Sequence, residues 1–189
     1  MAMNKKTLAL TSEQYIALIS AIRDGFPGSR PNPRIATALV LEGNLGLRIS
    51  DILNLHLNDF VWESGRYRLD ISEIKTGKPR TFTVPALIYQ YVASYCEKKD
   101  IAPDELIFPL SSRTIQATIK RACAYLNYTG ISTHSFRKYY ATEIYKNSNY
   151  NIALVQTLLQ HSSPTTTQKY IGLQTKEIED AIMGHVKLL

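Results

Sequence analysis

Tyr170 lies in the stretch LLQHSSPTTTQKYIG (158–172), where an apolar run ends on His161 and a polar turn leads to a phenol beside Lys169. With 12 tyrosines in the chain, one phenol means little by itself. Its ordinary pKa of about 10 means that attack on an electrophile needs help from nearby cations or a base. The sequence offers both. Arg48 stands in GLRISDIL, Lys75 in KTGK, and His134 with Arg137 in HSFR. Breaking a phosphodiester without a metal calls for cations and donors that hold charge on the non-bridging oxygens of a five-coordinate phosphorus. Arginine suits this task because its planar fork stays charged and binds phosphate bidentately.

Taken singly, each residue has a plainer reading. Arg48 or Arg137 suits a surface ion pair. His134 and His161 suit helix-end histidines bonded to backbone groups. Lys75, with Lys78 beside it, suits an ordinary hairpin tip, and Tyr170 a half-buried packing residue. Asp51 suits a carboxylate placed favourably near a helix start.

The elements that must position these groups can be read from period and caps. Thr11-x-x-Gln14 is a capping box ahead of a first amphipathic helix, YIALISAI. GFPGSRPNPR (25–34) is a loop rich in Gly and Pro. RIATALVLEGNLG (34–46) is a second, largely buried helix ended by Gly46. Ser50 is expected to cap a third helix, SDILNLHL, which puts Arg48 just ahead of a helix N-terminus. Phe60–Trp62, Tyr67–Ile71 and RTFTV (80–84) have strand character, with Lys75-Thr76-Gly77-Lys78 as the hairpin turn. Pro85 opens the helix ALIYQYVASYCEKK. SSRTIQATIKRACAYL (111–126) reads as a basic helix, followed by helices over about 133–145 and over 151–160. Ser163-Pro164 starts a short helix carrying Tyr170. The expected class is α+β, mostly helical, with helices around a small antiparallel sheet.

Bulk properties set the frame. The 189 residues suit one domain with a proper core, and 44% hydrophobic with 20% charged residues is ordinary for a globular protein. No leader and no bilayer-length apolar run is present, so the expectation is a cytoplasmic protein without a membrane partner. Cys96 and Cys123 form no CxxC, and His56, His134, His161 and His185 never fall at metal-binding spacing. No metal and no cofactor is therefore expected. The net charge is +6, and residues 106–176 carry eight basic side chains against the single acid Glu143. That imbalance favours a polyanionic partner, although a solvated basic face explains charge alone equally well.

Arg48, Lys75, the His134-x-x-Arg137 motif, His161 and Tyr170, in this order and in these contexts, resemble the catalytic domain of the tyrosine recombinases, or phage integrase family. The resemblance covers roughly residues 10 to 175. It implies that Tyr170 attacks DNA and leaves a 3′-phosphotyrosyl bond with a free 5′-hydroxyl, and that religation needs no ATP. It implies further that His134 assists proton transfer, His161 hydrogen-bonds the scissile phosphate and Lys75 protonates the leaving oxygen. Asp51 matches an acidic supporting residue three positions after the first arginine. Arg113, Gln116 and Lys120 share one face of the basic helix and, by the resemblance, meet a DNA groove; Lys78 and Lys138 are further candidate DNA contacts. Two positions depart from the family pattern: Gln160 replaces the usual glycine before the later histidine, and Lys138 replaces a frequent histidine.

The implied function is a site-specific DNA recombinase of integrase or invertase type. The alternatives are a DNA-binding protein with a disabled site and a type IB topoisomerase-like activity. The implied partners are double-stranded DNA, further copies of the chain (a tetramer in synapsis) and either an N-terminal DNA-binding domain or accessory DNA-bending proteins. The expected organisation is a single catalytic domain over 1–189, with tails at 1–10 and 175–189 and no N-terminal core-binding domain in this chain. The C-terminal tail is an amphipathic helix that docks either on a neighbouring protomer or on its own domain.

Overall fold

The structure, a computed structural model, describes residues 7–161 and 163–171. Among them are eight α-helices and one three-stranded sheet. The expected tail helix over 175–189, and most of the N-terminal tail, lie outside the described residues. The chain forms two compact units, Met1–Tyr140 and Ala141–Leu189.

In the first unit, α1 (Ser12–Asp24) begins at the expected capping box. Thr11 Oγ1 accepts the Gln14 N–H, and the Gln14 side chain accepts the Thr11 N–H. Helix α2 (Pro33–Leu45) is capped by Asn32 and ends at Gly46, which sits in the left-handed region at φ 61°. A Cβ at Gly46 would run into the ring of Tyr140, so the position requires glycine for both reasons. Leu39, Leu41, Leu45 and Leu47 are buried around this end of the helix, and they fix the backbone leading to Arg48.

Helix α3 differs from expectation. It covers only Ile49–Ile52, with Arg48 rather than Ser50 at its N-cap, and Ser50 lies inside it. The apolar period of SDILNLHL reflects burial, not a continuous helix. Leu53 and Leu55 are buried, and the Leu55 carbonyl accepts the Ile107 N–H at 2.9 Å while His56 bridges Leu106. Pairing with the LIF segment takes the backbone out of the helix after one turn.

A 3₁₀ turn at Leu57–Asp59 leads to β1 (Phe60–Glu63), β2 (Arg66–Ser72) and β3 (Pro79–Val84), an antiparallel meander in sequence order. In the β2–β3 register Leu69 faces Phe82 and Ile71 faces Arg80, which leaves 73–78 as the connecting turn. Helix α4 (Ala86–Lys99) follows Pro85 as expected. Helix α5 (Ser112–Tyr125) is capped by the Ser111 hydroxyl. It buries Ile115, Thr118, Ile119 and Ala122 and leaves Arg113, Gln116 and Lys120 exposed on the other side.

Helix α6 (Thr133–Asn147) contains the division between the units: its first turns, with buried Phe136 and Arg137, belong to the first. In the second unit α7 (Ile152–Leu159) is capped by Asn151 and α8 (Pro164–Ile171) carries Tyr170, both as expected. Among the described residues, no helix is long and apolar enough to cross a membrane.

Candidate active site

The first unit brings Arg48, Lys75, His134 and Arg137 into one neighbourhood. Arg48 sits in extended backbone between Leu47 and Ile49, both buried, and its side chain is one-fifth exposed. Its Nη1 donates to Glu73 Oε2 at 2.6 Å and lies 4.0 Å from Asp51 Oδ2. Asp51 is buried, and its Oδ1 accepts the Ile74 N–H at 3.0 Å. This bond ties α3 to the start of the turn bearing Lys75, so Asp51 does more than face a helix dipole.

Lys75 and Lys78 are exposed on that turn. The turn is shaped by its own backbone: Glu73 N–H donates to the Lys78 carbonyl, and Gly77 N–H to the Glu73 carbonyl. His134 is exposed at the start of α6. Partial desolvation, then the positive charges of Arg137, Lys75, Arg48 and Lys138, hold its pKa below the ordinary histidine value. The same interactions bring two sequence-distant cations, Arg48 and Lys75, to the imidazole beside Arg137 and Lys138 of its own helix.

Arg137 is only 2% exposed, which sets aside the surface ion-pair reading. Near it lies Glu42, wholly buried on α2. Burial drives the Glu42 carboxyl well above its usual range, and the charge of Arg137 opposes that only in part. Lys138 is engaged elsewhere. Its Nζ donates to the Thr7 carbonyl at 2.6 Å, so it tethers the N-terminal segment while adding to the field at His134.

The second unit holds His161 and Tyr170. The backbone N–H of His161 donates to the Gln156 carbonyl, and the Gln156 side-chain amide donates to the His161 carbonyl, which pins the imidazole at the end of α7. Its Nδ1 shares a 3.0 Å hydrogen bond with the hydroxyl of Thr167, a buried residue of α8. The ring of half-buried Tyr170 meets the imidazole edge-on, with centroids 5.1 Å apart and planes at 77°. The nine-residue separation of His161 and Tyr170 thus becomes a direct ring contact. Gln160, just before His161, is the left-handed C-cap of α7 at φ 53°. That conformation explains why the family pattern favours glycine there.

Sequence reasoning missed Glu73, Arg80, Glu42 and Thr167. Glu73 and Arg80 are 1% and 4% exposed and are bonded to each other. The only signal for them was an acid and an arginine flanking the lysine turn.

Similar folds are found among solved structures of site-specific recombinases and integrases. The XerH site-specific recombinase in a post-cleavage complex with its palindromic difH substrate matches with a TM-score of 0.70 at 20% identity, over 95% of this chain and 53% of that one. The catalytic domain of bacteriophage HP1 integrase matches with a TM-score of 0.63 at 21% identity, over 95% of this chain and 96% of its own. The fold is therefore that of a tyrosine recombinase catalytic domain. In sequence, the phage integrase family model matches residues 9–177. The probable integrase/recombinase YoeC of Bacillus subtilis is 32% identical, over 69% of this chain and 72% of that protein. Tyrosine recombinase XerA of Pyrococcus furiosus is 30% identical, over 94% of this chain and 62% of that protein. The chain belongs to the phage integrase family. It spans about three-fifths of the length of the Pyrococcus relative.

Proposed function

We propose that this chain is the catalytic portion of a site-specific DNA recombinase that cuts and rejoins duplex DNA through a 3′-phosphotyrosyl link on Tyr170. The observation that carries the reading is the convergence of Arg48, Lys75 and Arg137 around the exposed imidazole of His134, whose pKa is lowered by partial desolvation and then by these charges. A group of cations around one neutral base fits an anionic ester better than it fits a structural role.

In the proposed reaction the Tyr170 oxygen attacks the scissile phosphorus as the P–O5′ bond breaks. His134, neutral near pH 7, accepts the phenolic proton, and Lys75 gives a proton to the departing 5′-oxygen. Arg48 and Arg137 hold charge on the non-bridging oxygens, and His161 donates to the same phosphate. Because one phosphate ester replaces another, the reverse attack by a 5′-hydroxyl reseals a strand without ATP.

The exposed face of α5 with Arg113, Gln116 and Lys120, together with Lys78, is proposed to meet duplex DNA. Further copies are proposed to assemble on that DNA, as a tetramer when two sites are joined, and the work is placed in the cytoplasm. One neighbouring structure is a lambda integrase dimer bound to a COC′ core site, which supports assembly on DNA.

The test is a nicked suicide duplex whose short cut strand diffuses away and blocks resealing. Wild type is expected to form a covalent adduct and Tyr170→Phe none. An adduct persisting in Tyr170→Phe would move the nucleophile elsewhere. A wild type that binds duplex without forming any adduct would point to a disabled site, and relaxation of plasmids lacking any defined site would point to a topoisomerase.

A further inference from the structure

The first unit contains a buried ion pair, Glu73 with Arg80, that the proposed reaction does not itself use. Glu73 accepts three side-chain hydrogen bonds: from Arg48 Nη1 at 2.6 Å, from Thr76 Oγ1 at 2.9 Å and from Arg80 Nη1 at 3.1 Å. Its backbone adds two more bonds that close the turn around Lys75. One carboxylate thus joins the arginine that follows α2 to the turn between β2 and β3. With Glu73 and Arg80 excluded from solvent, this differs from an exposed ion pair, whose geometry is loose and whose energy is near zero.

The arrangement grips Arg48 without using it up. Among the described residues, the only hydrogen bond of the Arg48 guanidinium is the one through Nη1, so its Nε–Nη2 edge keeps two parallel donors for a phosphate. Arg80 offsets the charge of Glu73 from the other side and is itself packed 4.9 Å over the Phe82 ring. Burial alone would push the Glu73 carboxyl up; the bonds from Arg48 and Thr76, the Arg48 charge and the bond from Arg80 outweigh it and hold the group ionised below the usual carboxylate range.

We propose that Glu73 is a positioning residue for strand cleavage, setting the spacing between the guanidinium that grips the phosphate and the Lys75 ammonium that protonates the leaving oxygen. This rests on the recombinase reading above. Glu73 touches neither DNA nor the reacting atoms; it acts through Arg48 and through the turn.

The test compares two suicide duplexes, one with the ordinary bridging 5′-oxygen at the cut and one with a bridging 5′-sulfur. A thiolate leaves without being protonated, so the sulfur substrate removes the need for a well-placed Lys75 and leaves the need for Arg48 intact. Glu73→Gln keeps the shape and one acceptor but loses the charge that holds two guanidiniums. Its adduct formation is expected to fall about 10- to 100-fold on the oxygen substrate and only a few-fold on the sulfur substrate. Thr76→Val removes two hydrogen bonds from an exposed turn, the one donated to Glu73 and the one accepted from the Lys78 N–H at 3.3 Å, and does not threaten the fold. It is expected to slow the oxygen substrate about threefold and to leave the sulfur substrate at the wild-type rate.

Duplex affinity within about twofold of wild type shows that the variants are folded; if Glu73→Gln fails this check, Thr76→Val decides. Wild-type rates for both variants on oxygen, or equal losses on the two substrates, would overturn the proposal. A wild type that forms no adduct on either substrate would instead sink the recombinase reading beneath it.

Discussion

His134 is exposed and yet surrounded by positive charge, and that combination makes a titration prediction. Partial desolvation and the charges of Arg137, Lys75, Arg48 and Lys138 lower its pKa from the ordinary value near 6.5. In the folded protein the imidazole is therefore mostly neutral at pH 7. Single-turnover cleavage at subsaturating DNA, which reports the free enzyme, is expected to show an acid limb centred below pH 6.5. His134→Gln should cut the rate about 100-fold and flatten that acid limb. The stability sign follows from the same shift. The unfolded chain binds this proton at higher pH than the native one, so the His134 contribution to stability is lost as pH falls from about 6.5 through the lower folded value. An acid limb centred above 6.5 would contradict this picture of the site. The residues proposed to carry the reaction could be singled out in the sequence because the motif GLR, the lysine turn, His-x-x-Arg and the His161–Tyr170 spacing are local patterns. Glu73 and Arg80 could not. They meet only because β2 and β3 pair with Ile71 facing Arg80, and no local period reports which strand residues share a partner.

At the scale of elements, caps were the most readable features. Thr11 with Gln14 starts its helix, and Gly46 ends its own, by bonds within four residues, so local sequence is enough. The third helix shows where that breaks down. An apolar period in 50–57 signals burial, and burial is equally served by a short helix followed by a segment bonded to Ile107. Gln160 gives the element-scale prediction. A side chain at φ 53° bears strain that glycine avoids, so Gln160→Gly is expected to stabilise the protein by about 0.5–1 kcal/mol. Urea unfolding read by circular dichroism would show a raised midpoint, and an unchanged or lowered midpoint would mean that Gln160 contributes a compensating contact. Gly46→Ala has the opposite sign. It is expected to cost about 2 kcal/mol or more, because it strains the backbone ahead of Arg48 and drives a methyl into Tyr140.

For the whole molecule, the net charge of +6 and the exposed basic face of α5 predict binding dominated by phosphate contacts. Affinity for duplex should fall steeply with salt. Replacing Arg113 and Lys120 together by Ala should reduce the slope of log K against log salt by about 2, close to one unit per lost phosphate contact. Fluorescence anisotropy on a labelled duplex across a salt series measures this. An unchanged slope would remove α5 from the interface and return it to a solvated basic helix. Charge alone left those two readings level in the sequence, because a basic face looks the same whether or not DNA covers it.

The central claim, that the cations around His134 serve an attack by the phenol at position 170, is tested most directly by mapping a trapped complex. Wild-type protein is reacted with the nicked suicide duplex and digested with a protease and a nuclease. The modified peptide is then sequenced by mass spectrometry. The expected product is a single peptide carrying a nucleotide joined through its 3′-phosphate to Tyr170, absent from Tyr170→Phe and from Arg137→Ala. A nucleotide found on any other side chain, or joined through its 5′-phosphate, would contradict the account.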